Sequence, residues 1–100
     1  VNQLSIHIND INKLCYNHSV KNLYVFGSVL TENFNSESDI DFLVEFFPVN
    51  SKEYADNYYN LKFSLEQILN RKIDLLEEAA IKNPYFLQSI QNKKQIVYGN

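Results

Sequence analysis

Residues 39–46 (DIDFLVEF) constrain this chain more than any other stretch. Ile40, Phe42, Val44 and Phe46 fall on one side of an extended backbone, and Asp39, Asp41, Leu43 and Glu45 on the other. Such a strand needs a hydrophobic layer against one face and sets carboxylates on the opposite one. The rest of the fold has to be built around that asymmetry.

The flanking segments supply the layer. Leu4, Ile8, Ile11, Leu14 and Cys15 recur at three- and four-residue spacing, which predicts an amphipathic helix. Residues 22–26 (NLYVF) read as a strand ended by Gly27-Ser28, residues 29–34 as a brief helical turn, and residues 35–38 (NSES) as a polar loop. Pro48 closes the acidic strand. Asn50 and Glu53 make a capping pair for a helix whose stripe is Tyr54, Tyr58, Leu61, Leu65, Ile68 and Leu69, expected to run to about Arg71. Residues 72–77 (KIDLLE) read as another strand. Asn83-Pro84 starts a last helix with Leu87 and Ile90 turned inward. Ile96, Val97 and Tyr98 add a short edge strand. Counting the turn, the order is helix, strand, helix, strand, helix, strand, helix, then the edge strand. This predicts an α/β (α+β) fold: a small mixed sheet of three to four strands with helices packed on one face and the active site on the open face.

With 100 residues and no repeat or linker, the chain is expected to be a single domain over residues 1–100. No apolar run approaches the roughly 20 residues of a spanning helix, and no basic-then-apolar leader opens the sequence. Cys15 is the single cysteine, which leaves neither a disulfide framework nor a cysteine zinc site. Cytoplasmic residence is the expectation. The net charge of −3, with basic residues only in short pairs such as Arg71-Lys72 and Lys93-Lys94, argues against a nucleic-acid partner. A small ligand or a protein partner is favoured.

The chemistry lies in a constellation. Gly27-Ser28 closes one strand; Asp39 and Asp41 project from one face of the next; Asp74 alternates with Ile73 and Leu75, so its carboxylate reaches the same face. Three carboxylates on one sheet face repel one another and lose hydration, a cost that hard divalent cations, Mg²⁺ above all, relieve. Two such ions clamp the attacking and leaving oxygens of an in-line phosphoryl displacement. Gly27 lets the backbone approach a phosphate, and Ser28 offers a hydroxyl and an N–H to it. Asp74 is placed to hold a metal or to take the proton of an acceptor hydroxyl. Together these features fit phosphoryl or nucleotidyl transfer.

Residues 23–46 (LYVFGSVLTENFNSESDIDFLVEF) resemble the signature of the polymerase-beta-type nucleotidyltransferase superfamily, and within it the minimal (MNT-type) nucleotidyltransferases. That pattern is Gly-Ser, a spacer of about ten residues, Asp-x-Asp or Asp-x-Glu, and a third acidic residue on a later strand. Gly27, Ser28, Asp39 and Asp41 match it, and Asp74 stands where the third carboxylate belongs. The resemblance implies ATP as substrate, Mg²⁺ (two ions) held by Asp39, Asp41 and Asp74, and transfer of AMP to a hydroxyl. Many minimal members resemble antitoxins paired with a small helical HEPN-type toxin whose tyrosine they AMPylate. A hetero-oligomer with such a partner is implied, and a homo-oligomer stays open.

One departure stands out. Where relatives often continue the turn with a small residue, Arg and Gly, this chain has Leu30, Thr31 and Glu32, and Thr31 cannot replace the charge of an Arg. Arg71 and Lys72 are candidates to compensate. An alternative reading follows: a weak or inactive nucleotide- or partner-binding module that neutralises a toxin by occlusion. A third keeps the chemistry and changes the acceptor to an aminoglycoside or a tRNA end. Read singly, Asp39 is compatible with a strand cap, Asp41 and Asp74 with solvated sheet positions and Ser28 with a helix cap. Glu45 reads as structural or rim. His7 and His18 read as surface residues, Cys15 as core, Tyr54 and Tyr58 as core, and Lys93-Lys94 as a solvated helix end.

Overall fold

The computed structural model describes residues 2–99. Its elements are α1 (Asn2–Ile6), α2 (Ile8–Asn17), β1 (Val20–Phe26), a 3-10 turn (Gly27–Leu30), β2 (Ile40–Phe46), α3 (Ser51–Leu69), β3 (Ile73–Glu77), a second 3-10 turn (Glu78–Ala80), α4 (Pro84–Lys93) and β4 (Gln95–Tyr98). The four strands form one mixed sheet in the order β3-β2-β1-β4. β1 runs antiparallel to β2 and β4; β2 and β3 are parallel, joined by α3 as crossover.

The acidic strand is β2, at the sheet's interior, with Ile40, Phe42, Leu43 and Val44 fully buried. Its apolar side, with Leu23 and Val25 of β1 and Ile73 and Leu75 of β3, meets Leu4, Ile11 and Cys15 from α1–α2 and Leu61, Leu65 and Leu69 from α3. The predicted first helix is broken at His7, where φ −105° and ψ 13° leave helical geometry and the N–H turns back to Leu4 O. The long helix stops at Leu69, two residues before the expected end. Its next residue, Asn70, adopts the left-handed conformation at φ 48°, a common helix terminator. At the other end Asn50 Oδ1 accepts the Glu53 N–H while Asn50 Nδ2 donates to Glu53 Oε1, a reciprocal cap. Asn83 Oδ1 accepts from Tyr85 and Phe86 N–H, and Pro84 opens α4 as its position predicts.

α4 refines the expected layering. Ile90 packs against Phe26 and Leu43, with Tyr24, Leu76 and Ile81 alongside, so this helix lies on the acid-bearing side of the sheet and covers part of the face the sequence leaves open. The physical reason is visible in alternation: Tyr24, Phe26, Leu43 and Leu76 all point to that face and need cover. The open area that remains is the end of the face where Asp39, Asp41 and Asp74 emerge.

Candidate functional site

The site forms where β1 gives way to its turn. Gly27 takes φ +77°, a left-handed conformation, and a Cβ at this position would collide with Asp41 Oδ2. Only a residue without a side chain lets the turn pass this close to that carboxylate. Asp41 pairs with Phe26 across the antiparallel β1–β2 ladder and with Asp74 across the parallel β2–β3 ladder. Asp41 is therefore flanked by the Gly-Ser turn on one strand and a second carboxylate on the other. Asp39 lies one residue before β2 on the same side, exposed like Asp74, whereas Asp41 is half-buried. All five residues singled out from the sequence thus meet at one end of the sheet.

Electrostatics at this cluster are unfavourable as it stands. Burial pushes the Asp41 carboxyl above its ordinary value, and the charges of Asp74 and then Asp39 push it further. Among the described residues no three His, Cys, Asp or Glu side chains converge as a ready-made cage. One or two carboxylates that lack neutralisation, with room for water and phosphate oxygens, are what Mg²⁺ prefers to bind. The residues present fit that ion, with the remainder of its shell left to substrate and water.

The turn is held from beneath. Val29 is buried, and the Ser28 carbonyl accepts both the Thr31 N–H and the Thr31 hydroxyl at 2.9 Å. Thr31 is spent on the turn. Arg71, one of the two cations considered as compensation, is also occupied: it donates to Asn35 O at 2.8 Å and Ser38 O at 2.5 Å, and its guanidinium lies 4.4 Å from the centre of the Phe34 ring. It braces the loop that delivers Asp39. Lys72 is exposed. Glu45 accepts from the Asn22 amide and pairs with Lys21 at 3.9 Å, in keeping with a rim role.

Sequence reasoning missed Lys93. This residue, read there as a solvated helix end, lines a groove of about 330 Å³ together with Gly27, Asp41, Phe86 and Ser89. The volume lies at the lower end of the range for small-molecule pockets. Apolar residues on the acidic face signal that a helix returns to cover it, but not which helical residues then border the carboxylates.

Tyr54 and Tyr58 are half-buried, with Tyr58 against the core and its hydroxyl donating to Leu75 O; Tyr59 is exposed. Cys15 is fully buried. Among the described residues no helix is long and apolar enough to cross a membrane.

A four-stranded mixed sheet backed by helices, with carboxylates beside a Gly-Ser turn, is the arrangement of the nucleotidyltransferase-like fold. The chain belongs to the nucleotidyltransferase domain family, whose model matches residues 9–97, and is an enzyme of that class. A Methanocaldococcus jannaschii protein, provisionally named a protein adenylyltransferase, is 38% identical over 74 residues, 74% of this chain and 72% of the relative. The fold is shared with the structure of a provisionally assigned minimal nucleotidyltransferase (TM-score 0.79, 24% identity, 94% of this chain and 92% of that one). It is shared too with a toxin-antitoxin structure containing AMP-PNP (TM-score 0.71, 21% identity, 93% and 73%). A third match is the structure of a tri-AMPylated Shewanella oneidensis HEPN toxin in complex with MNT antitoxin (TM-score 0.66, 19% identity, 97% and 73%).

Proposed function

We propose that this protein is a Mg²⁺-dependent adenylyltransferase that moves AMP from ATP to a hydroxyl, the acceptor being a tyrosine of a HEPN-type partner toxin. The observation that carries the reading is the Asp41 position: a half-buried carboxylate beside a second one in register and against a left-handed glycine. A cluster so crowded makes sense where cations and phosphates come together. The AMP-PNP in one structural neighbour and the AMPylated toxin in another support ATP and a HEPN partner.

In this reading the Gly27 and Ser28 backbone, with the Ser28 hydroxyl, binds the triphosphate. Asp39 and Asp41 would hold the Mg²⁺ ions, and Asp74 completes the site. Such ions neutralise charge on the phosphates and on the departing pyrophosphate. The acceptor oxygen attacks the α-phosphorus, the bond to the bridging oxygen breaks, and pyrophosphate leaves. Asp74, the more exposed carboxylate of the Asp41 pair, takes the proton from the acceptor hydroxyl.

The test is incubation with Mg²⁺ and ATP labelled at the α- or the γ-phosphate, in host extract, beside an Asp39→Asn/Asp41→Asn variant. An α-labelled protein band lost in the variant is the expected result. Label from the γ position alone would sink AMP transfer. A second reading, a binding module that occludes its partner, is favoured by the cation-free turn with Thr31 folded back on Ser28. It predicts partner capture without ATP and no change in partner mass.

A further inference from the structure

Two grooves meet at Gly27. One holds Asp41 and is walled by Phe86, Ser89 and Lys93 of α4; the other runs past Leu30 and Thr31 to Gln95, and Lys93 walls it as well. Lys93 therefore stands at the junction, sharing one groove with the turn and the Asp41 carboxylate of β2 and the other with the turn and Gln95.

Its charge has little else to do. The turn contributes no cation, and Glu32 follows it with the opposite sign. Arg71 is committed to the carbonyls of the loop before Asp39. Lys94, the next residue, lies 4.0 Å from the centre of the Tyr24 ring. Among the described residues the direct ion pair is Lys21–Glu45, so Lys93 forms no direct ion pair with a carboxylate. Its place in the last turn of α4 suits the helix dipole, yet that benefit would be the same on any side of the helix. A polyanion entering between three carboxylates meets repulsion, and an ammonium fixed on the opposite wall offsets it. Lysine acts on phosphate as a point charge on a flexible stem, which suits a group that must reach across a groove.

We infer that Lys93 is a substrate-binding residue whose ammonium contacts the non-transferred β- and γ-phosphates of the nucleotide, so that the site favours triphosphate over monophosphate. This rests on the nucleotidyl-transfer reading above and adds to it the residue that supplies the missing cation. No bond is made or broken at Lys93.

The experiment is calorimetric titration of Mg-ATP and of AMP into the wild-type chain and into Lys93→Gln, Lys93→Arg and Lys94→Gln. Losing one charge-assisted contact should weaken Mg-ATP binding in Lys93→Gln by about tenfold or more, with AMP binding changed less than about twofold. Lys93→Arg should keep Mg-ATP affinity within about threefold, and Lys94→Gln should match wild type. Because Lys93 is exposed, melting temperatures should agree between wild type and the two Lys93 variants. Unchanged Mg-ATP affinity in Lys93→Gln, or equal losses for ATP and AMP, overturns the assignment of Lys93 alone. A wild-type chain that binds neither nucleotide overturns the nucleotidyl-transfer reading, and the Lys93 assignment with it.

Discussion

Asp41 and Asp74 sit opposite each other in the parallel register of β2 and β3, with their strands hydrogen-bonded neighbours in the sheet. Like charges at paired positions destabilise a sheet. The half-buried partner, Asp41, is pushed toward its neutral form by burial and by both neighbouring carboxylates. The fold therefore tolerates a local cost at its site, the pattern expected where function and stability compete.

From this follows a stability prediction. Asp41→Asn, in chelator, should raise the melting temperature at neutral pH while abolishing transfer. The sign follows from the direction of the shift. A carboxyl raised in the folded state favours folding when protonated; that contribution is complete below the ordinary value of 3.8 and is lost as pH rises through the folded value. Asn mimics the protonated form, so the gap between variant and wild type should narrow as pH falls through the folded value toward 3.8. Parallel melts from pH 7 downward check it. A variant less stable than wild type at pH 7 would mean that the carboxylate is needed by the fold.

Gly27 gives a sharper test, since backbone and contact agree. Gly27→Ala forces a Cβ into a left-handed position and against Asp41 Oδ2. The conformational cost alone is about 1–3 kcal/mol. Denaturant titration should show a loss of that order, and Mg-ATP binding should fall with it because Asp41 must move. An alanine variant with wild-type stability and binding would remove the close approach from the account.

Much of this site is readable in the sequence because it depends on two local rules. Alternation in residues 39–46 puts Asp39 and Asp41 on one face, and the same rule in residues 73–77 adds Asp74. The Gly-Ser break then supplies the turn. What the sequence hides is set by packing between distant segments. The Leu43 and Phe26 side chains announce that the acidic face needs cover, but that Ile90 provides it, carrying Lys93 to Gly27, depends on how α4 crosses the sheet. Arg71 is hidden for the same reason: its carbonyl partners lie 36 and 33 residues away.

Cys15 offers a pH test away from the site. It is buried in the core between α2 and the sheet, and burial pushes its thiol from 9.0 up to about 12. A thiol raised in the folded state lends stability that is complete below 9 and is lost as pH climbs through about 12. The buried edges of Tyr54 and Tyr58, both raised as well, act in the same direction. Stability should decline from pH 9 upward, and Cys15 should resist a thiol reagent at pH 8 until denaturant exposes it. Rapid labelling of the native protein at pH 8 would contradict the burial.

Arg71 separates two roles that the sequence alone leaves together. As a brace, its guanidinium holds the carbonyls of Asn35 and Ser38 and stacks on Phe34, so Arg71→Ala should cost about 1–3 kcal/mol and speed amide exchange in residues 35–39. Transfer should fall because Asp39 loses its fixed position, while Mg-ATP affinity falls less than in Lys93→Gln. Arg71→Lys keeps the charge but loses the planar stack on Phe34, so it should recover less than about half of the lost stability. If Arg71 were instead the phosphate ligand, Arg71→Ala would weaken Mg-ATP binding at unchanged loop protection, and Arg71→Lys would largely restore binding. Exchange and titration on the same three proteins distinguish a residue that shapes the site from one that touches the substrate.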